Sequence, residues 1–212
     1  MRIVSTRNSK NTEASSVSFK EAVFKGLAPD GGLYHVADNP DLKKVYAGFG
    51  AETGFNAMAE KVTEALFHDE FSTEAARRVV ERAFTFAPVL RRLDASISLL
   101  ELFHGPSFAF KDFGASFLAS VMEEYLRNDA RRAVILTATS GDTGSAVARA
   151  FYGKKNIDVV ILYPSGRVSP LQEKQLTTLG GNVAALEVKG SFDDCQRMVK
   201  EVFVDAELSN GL

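Results

Sequence analysis

One cysteine, three histidines and a net charge of only −2 are what this 212-residue chain offers to the commonest kinds of site chemistry. With Cys195 alone, no intrachain disulfide framework can form. Its helical-period neighbours make it a packing or surface thiol rather than a nucleophile. His35, His68 and His104 have no ligand-like spacing with one another or with Cys195, which argues against a metal site. The small net charge leaves no basic face for nucleic acid or for an anionic membrane surface. No apolar run approaches the roughly 18 residues that a bilayer span needs. The opening Met1-Arg-Ile-Val-Ser-Thr-Arg-Asn-Ser-Lys10 lacks the apolar stretch of a signal peptide, so a cytoplasmic location is expected. Internal repeats and low-complexity segments are missing too. Asp112-Phe-Gly114 spells a kinase tripeptide, but no Gly-rich nucleotide loop or catalytic-loop motif accompanies it.

The residues present are 45% hydrophobic and 25% charged, enough to bury a substantial core in one or two domains. The pattern divides near Asp94. Residues 1–93 read as mostly helical, with helical spacing over Phe19–Lys25, Asn56–Phe67 and Thr73–Phe84, and a glycine turn at Asp30-Gly-Gly32. Residues 94–212 alternate strand and helix. Strands are expected at Ser98–Leu102, Ala133–Thr137, Asp158–Tyr163 and Val183–Val188. Helices are expected at Asp112–Arg127, Gly144–Gly153, Pro170–Leu179 and Phe192–Val204. That order predicts an α/β fold with a doubly wound, mainly parallel sheet, whose ligands bind at the carboxyl ends of the strands.

Two segments fall at that edge. In Glu101-Leu-Phe-His-Gly-Pro-Ser-Phe-Ala-Phe-Lys-Asp-Phe-Gly-Ala115 a lysine follows an apolar run and a Gly-Pro turn, among Phe108, Phe110 and Phe113. Such a setting is expected to strip water from the Lys111 ammonium and lower its pKa, as a Schiff-base lysine requires. His104 adjoins the same segment and is a further candidate lining residue. In the second segment, the apolar run Ala133–Thr139 feeds Ser140-Gly-Asp-Thr-Gly-Ser145 at a helix start. Free amides and the positive helix end there suit a carboxylate or phosphate. One βα unit further on, Pro164-Ser-Gly-Arg-Val-Ser169 places Arg167, with Ser169 and Lys174, where a guanidinium can fork onto a phosphate. An amine and an anion loop on adjacent units suggest a carbonyl cofactor and an amino-acid substrate.

His104-Gly-Pro-Ser-Phe-Ala-Phe-Lys-Asp-Phe113, Ala138-Thr-Ser-Gly-Asp-Thr-Gly-Ser145 and Tyr163-Pro-Ser-Gly-Arg-Val-Ser-Pro-Leu-Gln172 resemble the threonine synthase family, as does the opening Phe19–Tyr34. Ser107 stands where that family usually has threonine, which keeps the hydroxyl. The resemblance implies a pyridoxal phosphate enzyme of the tryptophan synthase β-like fold type, acting on O-phospho-L-homoserine. It implies that Lys111 carries the cofactor, with Phe110 and Asp142 beside it. Ser140, Gly141, Thr143 and Gly144 would hold the substrate carboxylate, and Arg167 the substrate phosphate.

Several matters stay open at this level. The family's cradle for the cofactor phosphate and its partner for the pyridine nitrogen lie in a larger second domain with no counterpart here, and Gly180-Gly-Asn182 lies at the wrong sheet edge to replace them. The chain is therefore expected to be the N-terminal part of a longer enzyme and inactive alone. Another lyase of the same fold, such as a serine or threonine dehydratase, and a non-catalytic relative are the competing readings. Asp142 could be protonated, turned toward a cation, or capping its helix by accepting from backbone amides; capping is the favoured expectation.

Overall fold

A computed structural model describes residues 1–7, 16–38, 40–205 and 207–208. The chain divides into two compact units, Met1–Arg82 and Ala83–Leu212. The second begins earlier than the Asp94 suggested by the pattern, because Val89–Arg92 forms a strand paired with the one after Asp94.

In the first unit, β1 (Ile3–Ser5) pairs antiparallel with β2 (Tyr34–Val36), Val4 opposite His35. Three-residue strands carry too few side chains to show a period of two, so neither was expected. Between them, α1 (Phe19–Lys25) starts with a capping box. The Ser18 hydroxyl accepts the Glu21 N–H at 3.1 Å, and the Glu21 carboxylate accepts the Ser18 N–H at 3.1 Å. Asp30 accepts the Ser5 hydroxyl at 2.7 Å and the Gly32 N–H at 2.9 Å, pinning the turn in which Gly31 takes φ 73°. Then follow α2 (Lys43–Ala47), α3 (Phe55–Phe67) and α4 (Thr73–Ala83), the last running into the second unit. Ala76, Val79 and Val80 of α4 are fully buried, one apolar stripe at helical spacing.

The second unit opens with an antiparallel ribbon of β3 (Val89–Arg92) and β4 (Ser98–Glu101). Ser98–Leu102 was expected to enter the parallel sheet, and it does not. The Asp94 carboxylate accepts the N–H groups of Ser96 (2.7 Å) and Ile97 (2.8 Å), closing a tight local turn that returns the chain onto β3. After the lysine turn comes α5 (Lys111–Leu126). A three-stranded parallel sheet follows, ordered β5 (Ala133–Ala138), β6 (Ile157–Pro164), β7 (Val183–Val188). Its crossovers are α6 (Asp142–Phe151) and α7 (Pro170–Thr177), and α8 (Phe192–Val204) follows β7.

β6 is buried along both faces, and its alternation shows what covers each. Val160 and Leu162 pack against Cys195 and Val199 of α8, with Leu136 and Ala138 of β5. Val159 and Ile161 point the other way, toward the α6 side, where Phe151 is 1% exposed. Helices on both faces make this part of an α/β doubly wound fold, as the βα alternation predicts. Burial raises the Cys195 thiol above its ordinary pKa and keeps it neutral. Among the described residues no helix is long and apolar enough to cross a membrane, and no cluster of His, Cys, Asp and Glu is placed to hold a metal ion.

Candidate functional site

Two loops leave strand ends and enter helices, and each is closed by a different device. The lysine turn is held by Asp112, which is 1% exposed. Its carboxylate accepts the Ser107 N–H at 2.9 Å and the Ser107 hydroxyl at 2.6 Å. The hydroxyl that Ser107 shares with threonine is therefore used. Gly105 is required because a Cβ there would stand 2.8 Å from the Asp112 Cβ. Within this closed turn Phe108 takes φ 61°, a left-handed conformation that costs a side-chain-bearing residue about 1–2 kcal/mol. Upstream, Glu101 is buried and accepts from His104 Nε2 and Arg91 Nε, each at 2.8 Å. The bond from His104, aided by Arg91, holds its carboxyl below the usual range. His104 thus serves the turn rather than lining the cleft described next.

Lys111 is the first residue of α5, and its Nζ lies 5.0 Å from the Phe110 ring centroid. A cleft of about 490 Å³ opens beside it, lined by Leu102, Phe110, Phe113, Leu118 and Lys111 on one side and Thr143 and Val147 of α6 on the other. The expectation that Lys111 is stripped of water needs correcting: the side chain is exposed. Of the three flanking aromatics only Phe113 turns inward, packing on Phe84 and Phe86 at centroid distances of 6.0 and 4.8 Å. Phe108 and Phe110 remain 70% and 61% exposed.

The second loop is closed by Thr139, which is buried and which the motif reading passed over. Its Oγ1 accepts the N–H groups of Gly141 (3.0 Å) and Gly144 (2.8 Å). Gly144 must lack a side chain, since a Cβ would sit 2.7 Å from the Thr139 Cβ. The expected amide donors at Gly141 and Gly144 are thus already bonded inside the loop. Ser140 and Thr143 are exposed and free to offer hydroxyls. The capping expectation for Asp142 also fails. Gly141 takes φ 150°, so Thr139 rather than Asp142 reaches the amides, and Asp142 Oδ1 instead accepts from Gln172 Nε2. Arg167 lies in the exposed turn after β6, where Gly166 takes φ 65°. Among the described residues its guanidinium has no partner.

The lysine and the anion loop therefore meet across one cleft at the carboxyl edge of a parallel sheet. Residues 84–210 match the family model described as pyridoxal-phosphate dependent enzyme, and residues 2–84 the one described as threonine synthase N terminus. The chain belongs to the pyridoxal-phosphate dependent enzyme family. Among curated members it is 43% identical over 196 residues to the threonine synthase of Serratia marcescens, covering 92% of this chain and 45% of that protein. It is 44% identical over 205 residues to that of Haemophilus influenzae, covering 97% and 47%. Among solved members, threonine synthase from Escherichia coli superposes with a TM-score of 0.86 at 41% identity, covering all of this chain and 48% of that one. The PLP-bound threonine synthase from Brucella melitensis gives 0.86 at 40% identity, covering 100% and 46%. The chain thus spans about half the length of these family members.

Proposed function

We propose that this chain supplies the lysine and the substrate-anion loops of a cytoplasmic threonine synthase, which converts O-phospho-L-homoserine and water to L-threonine and phosphate. The observation that carries this reading is the shared cleft: Lys111 and Phe110 on one wall, Thr143 on the other. These residues fit a flat aromatic aldehyde, with an amine at the rim, a ring beside it and apolar walls from Leu102, Phe113, Leu118 and Val147. Pyridoxal phosphate, when bound, supplies a sink for the charge that develops at the substrate Cα. Lys111 Nζ would hold that cofactor and, once released, carry protons at Cα and Cβ. Phe110 would flank the ring. Ser140 and Thr143 would donate to the substrate carboxylate, with Gly141 and Gly144 shaping their loop. Arg167, one βα unit further on and without a side-chain partner among the described residues, would take the substrate phosphate. The chain spans 45% of the length of the Serratia marcescens protein, so these roles are proposed within a longer enzyme and not for turnover by these residues alone.

The decisive experiment uses the full-length protein. Borohydride reduction of the loaded enzyme followed by peptide mass spectrometry should place the adduct on Lys111. Lys111→Ala should reduce threonine formation to background while leaving the melting temperature of the cofactor-free protein unchanged. An adduct on another lysine, or threonine formation by Lys111→Ala, overturns the assignment.

A further inference from the structure

The two anion loops leave the ends of neighbouring strands, β5 and β6, and one side chain spans them. Gln172 is the third residue of α7. Its N–H donates to Ser169 Oγ at 3.3 Å, and that hydroxyl donates to Gln172 Oε1 at 3.0 Å. With Oε1 so held, the amide nitrogen faces the other loop and donates to Asp142 Oδ1. The side chain also covers Gly141 closely. A Cβ at 141 would stand 2.6 Å from both Nε2 and Oε1 of Gln172.

Asp142 is otherwise out of place. It puts a full negative charge on the first residue of α6, beside Ser140 and Thr143, where a substrate carboxylate would have to sit. We infer that Gln172 is a positioning residue. By accepting nothing from Asp142 and donating to it, the amide draws the carboxylate sideways toward α7 and away from the anion-binding face. The same bond ties the Arg167 loop to the Ser140 loop, so that the two anionic ends of one substrate meet donors at a fixed spacing. This rests on the reading of the two loops as sites for substrate carboxylate and phosphate.

The test exchanges donor and acceptor in the full-length protein. Gln172→Glu sets a second carboxylate against Asp142. It should raise KM for O-phospho-L-homoserine about tenfold with kcat within about twofold. The Ser140–Thr143 amides should exchange hydrogen faster, a readout that needs no turnover. Combining Gln172→Glu with Asp142→Asn restores one donor and one acceptor with their roles reversed. KM should return to within about threefold of the unaltered protein, and exchange should slow again. A merely structural side chain would not be rescued in this way. The inference fails if Gln172→Glu leaves KM and exchange unchanged, or if the double variant is no better than the single one. If the unaltered protein makes no threonine while exchange still follows the swap, the proposed activity falls and the positioning role stands.

Discussion

The lysine turn and the anion loop do the same topological job, carrying the chain from a strand end into a helix, yet one is closed by a buried charge and the other by a neutral hydroxyl. Asp112 gathers Ser107 with a carboxylate; Thr139 gathers Gly141 and Gly144 with an Oγ1. The difference follows from what each loop presents. A carboxylate buried beside Lys111 in sequence adds negative potential where a cation is displayed, and the N-terminal end of α5 stabilises it. A carboxylate at the corresponding place in the anion loop would cancel the helix field that attracts the ligand. A hydroxyl satisfies the same backbone donors without doing so. Asp142 is the exception, and it is engaged by Gln172.

If the charged closure is the stronger one, removing it should cost more. Asp112→Ala leaves the Ser107 N–H and hydroxyl without their acceptor in a buried setting, with an expected loss of about 3 kcal/mol in urea unfolding. Asp112→Asn, which keeps one acceptor oxygen, should lose about half as much. Equal losses for Asn and Ala would show that the charge, not the geometry of acceptance, holds the turn.

Much of this contrast was illegible in the sequence, for identifiable reasons. Val183–Val188 and Phe192–Val204 were readable to the residue. Their signals are local: a strand after a Gly-Gly turn, and a helix whose Ser191 and Asp194 form a capping box. The pairing of β4 was not, because strand propensity does not name a partner. Nor was the exposure of Lys111, since three nearby aromatics state how much ring there is and not which way it points. The choice of Thr139 over Asp142 as acceptor turned on one glycine dihedral. Gln172 lay thirty positions along the chain from Asp142, beyond any local pattern.

Thr139→Val tests the neutral side of the comparison. It keeps the shape and removes the acceptor, leaving the Gly141 and Gly144 N–H groups unpaired in a buried place. The expected loss is about 2 kcal/mol, with Thr139→Ser within about 0.5 kcal/mol of the unaltered protein. The same urea series gives the ranking. A larger loss for Thr139→Val than for Asp112→Ala would reverse the argument about charge.

The smallest expected effect concerns backbone strain, which the two loops also handle differently. The anion loop puts a glycine, Gly141, at its unusual dihedral, φ 150°. The lysine turn puts Phe108 at φ 61° and leaves the ring 70% exposed. A ring that is both strained and in water adds nothing to the stability of this turn. Phe108→Gly removes a penalty of about 1–2 kcal/mol and gives back about 0.5–1 kcal/mol through the added freedom of the unfolded chain. The net gain should be about 0.5 kcal/mol, a rise of about 1–2 °C in melting temperature. Phe108→Ala keeps the strain and should gain nothing, so the difference between the two variants isolates the backbone. If Phe108→Gly melts below Phe108→Ala, the left-handed residue is not strained; if both variants melt below the unaltered protein, the ring itself supports the turn. The closure by Ser107 and Asp112 would then be incomplete without it.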